Sequence, residues 1–328
     1  MTSARELRER WTRERAAKAK DALENWKKPK RLEQVAFGQH EGRWDLRGLP
    51  IYTNVGGVTT KHVQAGGVDR DFTFVTLDKP PEFHNVKWES LDFSYAEIDH
   101  LRLFLSEVRD CLFVGGTFRD WRNWGVRYVD CDFSAADLQN SNIGGAAYKG
   151  KPVEYINCVW RQGNLKSGTL SDGTYRNCRF EQVRIAKEQV TNAQFSECSF
   201  SGQLEEIRFD GRDIDSQMPW DVRPDAMIQC DFSGCLLDDV QFLGIDTRDI
   251  VLPQQGHRIP RISQVARQAY DWTENADISA NEKRFLQMYW GRYVTKLPDD
   301  AEGWIDLSLF DGPARKLIEA SMGSESLT

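Results

Sequence analysis

The sequence has no long apolar run. Nothing in its 328 residues approaches the roughly 18 consecutive apolar positions that a membrane-spanning helix needs. The opening stretch, MTSARELRERWTRERAAKAK, lacks the apolar centre of a secretory signal, and Glu6, Glu9 and Glu14 disfavour a mitochondrial presequence. The seven cysteines are odd in number and never spaced CxxC, so neither a disulfide framework nor a zinc knuckle is indicated. The five histidines (His40, His62, His84, His100 and His257) form no HxxxH or HExxH, and GGVTTKHVQAGG lacks the GxxxxGK(S/T) frame of a phosphate loop. His100 follows Asp99 and reads as a polar pair on a solvated face. These absences predict a reduced, cytoplasmic, non-enzymatic chain with no cofactor, no metal and no membrane contact.

What is present is a period of five. In CDFSAADLQNSNI, residues 131–143, Phe133, Leu138 and Ile143 recur at an interval that fits neither a helix nor a strand. The frame runs from Phe93 through Ile98, Leu103, Val108, Phe113, Phe118, Asn123 and Tyr128 to Ile143. It returns at Trp160 and continues through Leu165, Leu170, Tyr175, Phe180, Ile185, Val190 and Phe195 to Phe200. Asn123 alone among these slots is polar. With Trp121 two residues before it, a local bulge or bend is expected. The register then slips by one (Leu204, Phe209, Ile214) and resumes at Phe232, Leu237 and Phe242; Phe83 and Trp88 are candidates for its start.

The cysteines carry a second period. Cys111 and Cys131 are twenty apart, as are Cys158, Cys178 and Cys198, and all seven cysteines stand two residues before an apolar slot. Twenty is four fives, so a coil with four short sides would stack Cys over Cys and Phe113, Phe133, Phe180 and Phe200 in register, about 4.8 Å apart. Cysteine fits the smaller inward slot as a compact hydrophobe.

AADLQ and SNIGG, with CDFSA, CRFEQ, CSFSG and CDFSG as Cys/Phe variants, resemble the pentapeptide-repeat family, whose pattern is approximately Ala-(Asp/Asn)-Leu-X-X. The resemblance covers residues 83–252 and implies an all-β solenoid, a right-handed quadrilateral β-helix. Segments 144–157 and 215–226 are expected to project from it as loops. Residues 1–30 are expected to form a basic helix spanning 3–28 and ending before Pro29. Residues 31–82 suggest an irregular first coil or a small β unit, and 258–328 three helices. The flanks are expected to cap the open ends of the solenoid.

Charge is uneven. Residues 1–31 carry a net +6, whereas 83–252 carry eighteen Lys/Arg against twenty-seven Asp/Glu. That balance argues against direct nucleic-acid binding by the rod. The leading expectation is a protein-interaction scaffold, with Tyr289, Trp290 and Tyr293 on a C-terminal helix as contacts to a protein partner or to a second copy. The resemblance implies an alternative: the quinolone-resistance members of the family act as DNA mimics on type II topoisomerase, so DNA gyrase becomes a candidate partner and the Asp110–Asp130 column a candidate contact. A third expectation is an enzyme with its site in residues 31–82 or 258–321, where no motif names a reaction.

Overall fold

In the computed structural model, the described residues are 2–322, excepting 28, 66–67, 79, 214–215, 217, 219–220, 255, 308–309 and 311; over 54–78 the description is of backbone alone. The central body is a stack of short parallel strands. Strands Arg102–Phe104 and Arg122–Trp124 pair residue for residue at an offset of twenty, as do Glu107–Arg109 with Arg127–Val129 and Arg179–Glu181 with Ser199–Glu205. All twenty slots from Phe93 to Phe200 are buried, none more than 8% exposed.

One residue per side turns the corner in the left-handed backbone region. Asn85, Ser90, Tyr95, His100, Leu105, Asp110, Gly115, Asp120, Gly125 and Asp130 succeed one another at five-residue intervals with φ between +49° and +63°. Asp, Asn and Gly tolerate that conformation best, because a short polar or absent side chain relieves the clash with the backbone. The conformation also explains the acidic columns: Asp110 and Asp130 occupy corners.

The aromatic slots form continuous stacks. Phe93, Phe113, Phe133, Trp160, Phe180, Phe200 and Phe232 follow one another with ring centroids 4.4–5.4 Å apart and planes within 11°. A second column runs Tyr128, Tyr155, Tyr175 and Phe195 at 4.6–5.3 Å. Offset stacking adds favourable ring–ring interaction to the area each ring withdraws from water.

Insertions leave the columns aligned. The offset rises to 27 where Tyr128 meets Tyr155, because 144–152 leaves the coil, with Tyr148 bridged back to Lys151. It falls to 19 between Val190 and Phe209, which is the one-residue slip seen in the sequence. It rises to 32 between Phe195 and Met227, across the second long segment.

Three expectations are corrected. Asn123 does not bend its side, since Arg122–Trp124 pairs with Arg102–Phe104 in unbroken register. Instead the large and small slots exchange occupants: Trp121 is 1% exposed and Asn123 2%. The parallel stack includes residues ahead of 83, within the segment expected as an irregular first coil or a small β unit. Trp44 and Asp45 pair with Leu91 and Asp92, and Leu46 and Ile51 are buried above Phe93 and Ile98. A hairpin of Asn54–Ala65 against Val68–Asp78 interrupts this first coil. The expected single N-terminal helix is two, α1 (Ala4–Glu9) and α2 (Arg13–Glu24), because Thr12 accepts from the Arg15 amide at 3.1 Å and starts a new helix. Pro29 opens α3 (Pro29–Val35), at the first helical position where its missing N–H costs nothing.

Both ends of the stack are covered. Trp11 donates to the Arg47 carbonyl at 2.9 Å and Trp88 to the Leu23 carbonyl at 3.2 Å, tying α1 and α2 to the first coil. Asp45, 4% exposed, is gripped by Arg10 and Arg47. Burial would raise its pKa, but the two guanidiniums hold it well below the usual carboxylate range. At the other end α4 (Ile262–Asn275), α5 (Ala280–Trp290) and α6 (Gly312–Met322) form a second core, and Trp304 packs edge-on against Phe242 at 5.9 Å. No described helix is long and apolar enough to cross a membrane.

Candidate partner-binding groove

The residues proposed as contacts occupy very different surroundings. Arg43 pairs with the Asp110 carboxylate and reaches its carbonyl at 3.1 Å, while Ser90 donates to the same carboxylate at 2.8 Å. Asp130 accepts from Asn157 at 2.9 Å, and Asn157 in turn accepts from Asn177 at 2.9 Å. The two acids are thus members of a polar corner ladder. The neighbouring like-charge pair Arg102 and Arg122 converges on one carboxylate: Asp120 accepts from Arg102 at 2.5 Å, Arg122 at 2.7 Å and His100 at 2.8 Å. Burial opposes ionisation of Asp120, yet these partners lower its pKa. Arg119 pairs with Asp137 at 2.7 Å and takes only a backbone contact to Asp99.

Tyr289, Trp290 and Tyr293 are 7%, 0% and 4% exposed. Trp290 donates to Ser321 at 2.8 Å, locking α5 to α6. Their expected role as surface contacts is therefore corrected: helical spacing shows that a face is apolar, but not whether the chain covers it. What α5 does present is the adjacent strip. Met288 is 60% exposed, and Phe285 and Phe310 are half-buried beside it. This strip forms one wall of a groove of about 510 Å³ whose other wall is the last coils of the stack, carrying Glu206, Asp238 and Asp239. Arg292 crosses the floor to Gln241 at 3.4 Å. The groove was missed because its halves lie about 50 residues apart in sequence. The pattern at Met288 and Phe285, apolar residues flanking the buried stripe of α5, is the only local signal for it.

No protein-family model and no curated protein matches the chain. Solved structures that match include a trypsin-treated form of QnrB1, a plasmid-mediated fluoroquinolone resistance protein. It is 18% identical over 49% of this chain and 81% of its own, with a TM-score of 0.22. Full-length QnrB1 matches at 15% identity, 53% and 94% coverage and a TM-score of 0.18. Rfr23, a pentapeptide-repeat protein of the cyanobacterium Cyanothece 51142, matches at 10% identity, 36% and 82% coverage and a TM-score of 0.23. Superpositions of this kind transfer no residue and no partner. The deciding feature lies in the chain itself, where sides of five residues stack at offsets of twenty. That spacing is the one the pentapeptide-repeat resemblance implies.

The cysteine column is a packing element of that stack. All seven cysteines are buried and free, and burial pushes the Cys111 and Cys158 thiols well up and Cys235 to about 12. At those three positions a thiol held neutral in an apolar tube is a poor nucleophile.

Proposed function

We propose that this chain is a member of the pentapeptide-repeat family and a non-enzymatic interaction scaffold, a right-handed quadrilateral β-helix that holds a protein partner in the groove between its last coils and α5. The observation that carries this reading is the juxtaposition of Phe285, Met288 and Phe310 with Glu206, Asp238 and Asp239 across one cleft. Apolar and sulfur-bearing side chains bury area against a partner without demanding one geometry. Arg208 and Arg292 also line the cleft and Glu206 is paired with Lys187, so Asp238 and Asp239 are the acids placed to meet a Lys or Arg of the bound segment. Helices α1–α3 and α4–α6 cap the ends, and the groove adds function to the second cap.

The test is a pull-down from native cell extract with Met288→Glu and, separately, Asp238→Lys/Asp239→Lys as bait. Retention of a partner by the parent protein and its loss with either variant, at unchanged thermal stability, supports the reading. The topoisomerase alternative is decided by gyrase supercoiling. Inhibition abolished by Asp110→Lys/Asp130→Lys but untouched by Met288→Glu would replace the groove with the corner ladder.

A further inference from the structure

A second cavity lies at the opposite end, where the N-terminal helices meet the first coil. Its walls include three indoles, Trp26, Trp44 and Trp88, with Leu32 beside them; Lys87 and Glu89 stand at its rim. We propose that this cavity binds a free aromatic amino acid, a single-ring side chain between the indoles with its ammonium and carboxylate at the rim.

The indoles are set to present carbon faces. Trp88 spends its N–H on the Leu23 carbonyl and Trp26 on the Asn85 carbonyl, at 3.2 and 3.1 Å. A ligand between them therefore meets π-surface, which favours a flat ring in offset or edge contact. The volume, about 240 Å³, lies below the roughly 300–1,000 Å³ of pockets for drug-sized ligands and selects a small one. Lys87 and Glu89 flank Trp88 on one strand, so with Trp88 inward both project outward. Glu107, on the next coil beside Lys87, is paired with Arg109 at 3.1 Å. Neither Lys87 nor Glu89 enters an ion pair among the described residues. Lys87 Nζ lies 5.9 Å from the Trp26 ring, close enough to place a carboxylate over the cavity mouth. Lys27 Nζ lies 5.8 Å from the same ring, so the mouth offers two ammonium groups for a carboxylate and Glu89 for an ammonium, which matches a zwitterion better than either single charge.

Isothermal titration and intrinsic tryptophan fluorescence of the full chain with L-phenylalanine test this directly. Phenylacetate, phenethylamine and tetramethylammonium serve as comparisons. Saturable one-to-one binding of phenylalanine is expected, at least tenfold tighter than each single-charge analogue. Lys87→Gln and Glu89→Gln, both exposed positions, should each weaken it at least tenfold at unchanged melting temperature, and Trp44→Leu should abolish it. Should Trp44→Leu fail to fold, the two rim variants carry the test. Absence of binding at millimolar phenylalanine overturns the proposal. So does equal binding of phenylacetate, tighter binding of tetramethylammonium, or indifference to both rim substitutions.

Discussion

Glu188 is a buried carboxyl in a slot that elsewhere holds apolar or small residues. It is 8% exposed; one oxygen accepts from the Leu170 amide at 2.7 Å, and the other has no partner within the protein. Burial raises its pKa to about 7, against 4.5 for an ordinary glutamate. Between these values the unfolded chain ionises while the folded one keeps its proton. Stability is therefore lost as pH rises from about 4.5 to 7 and is level above, by about 3 kcal/mol in all. Glu188→Gln should remove that loss. In urea titrations it should exceed the parent protein at pH 8 by about that amount and match it at pH 4. Equal stability at both pH values would mean that the carboxyl is hydrated. Asn123 makes the opposite case, a buried polar residue fully engaged. Its Oδ1 accepts from Tyr128 at 2.6 Å and Trp121 at 3.0 Å, and its Nδ2 donates to the Ile143 carbonyl at 3.3 Å. Asn123→Leu should restore the repeat's consensus yet cost about 3 kcal/mol, since it strands two buried donors. Adding Tyr128→Phe should recover part of that loss in a double-mutant cycle.

The single coil side is the unit in which the core is built. Phe180 lies 4.7 Å from Trp160 and 4.9 Å from Phe200, so Phe180→Asp would place an unpaired charge within the stack. Such a charge costs several kcal/mol, comparable with the whole stability of a domain, and the expected result is loss of the cooperative melting transition. The buried thiols should react with a thiol reagent only after denaturation, when all seven should titrate; prompt reaction of the native protein would place the column at the surface. The sides were legible because each repeats the same contact, with one large and one small residue facing in. The exchange at Trp121 and Asn123 was not, because a pattern of single positions hides a compensation between two. Nor was the start of the stack: the hairpin after Ile51 pushes the offset between Trp44 and Leu91 to 47, where no period of five or twenty can be followed by eye.

On the scale of the whole molecule, the caps decide whether the stack stays single. Coil edges and interior would be exposed at both ends, and the N-terminal helices cover Trp88 and Leu91. Removing residues 2–37 should give a protein that self-associates in size-exclusion chromatography, with Arg10→Ala a milder version through its bond to Asp45. A monomer of undiminished stability would show that α1–α3 are an appendage. The helical caps were legible as helices, but not their docking. The aromatic face of α5 gave no sign that α4 and α6 close over Tyr289 and Trp290 and leave Met288 outside. Sequence periodicity reports which residues share a face; which surface meets that face depends on chain returning from elsewhere.

The offset of twenty between uninterrupted coils makes length a separable property of this protein. Deleting residues 161–180 joins Trp160 to Glu181, so that Trp160 takes the place of Phe180 below Phe200 and every column closes up without changing phase. A loss of twenty codons would thus be read by the fold as one storey fewer in a building, with foundation and roof untouched. A loss of eighteen codons would put corners over walls. The distance between the two ends is thus adjustable in steps of one coil, with the cavity at one end and the groove at the other built from residues outside the deleted segment.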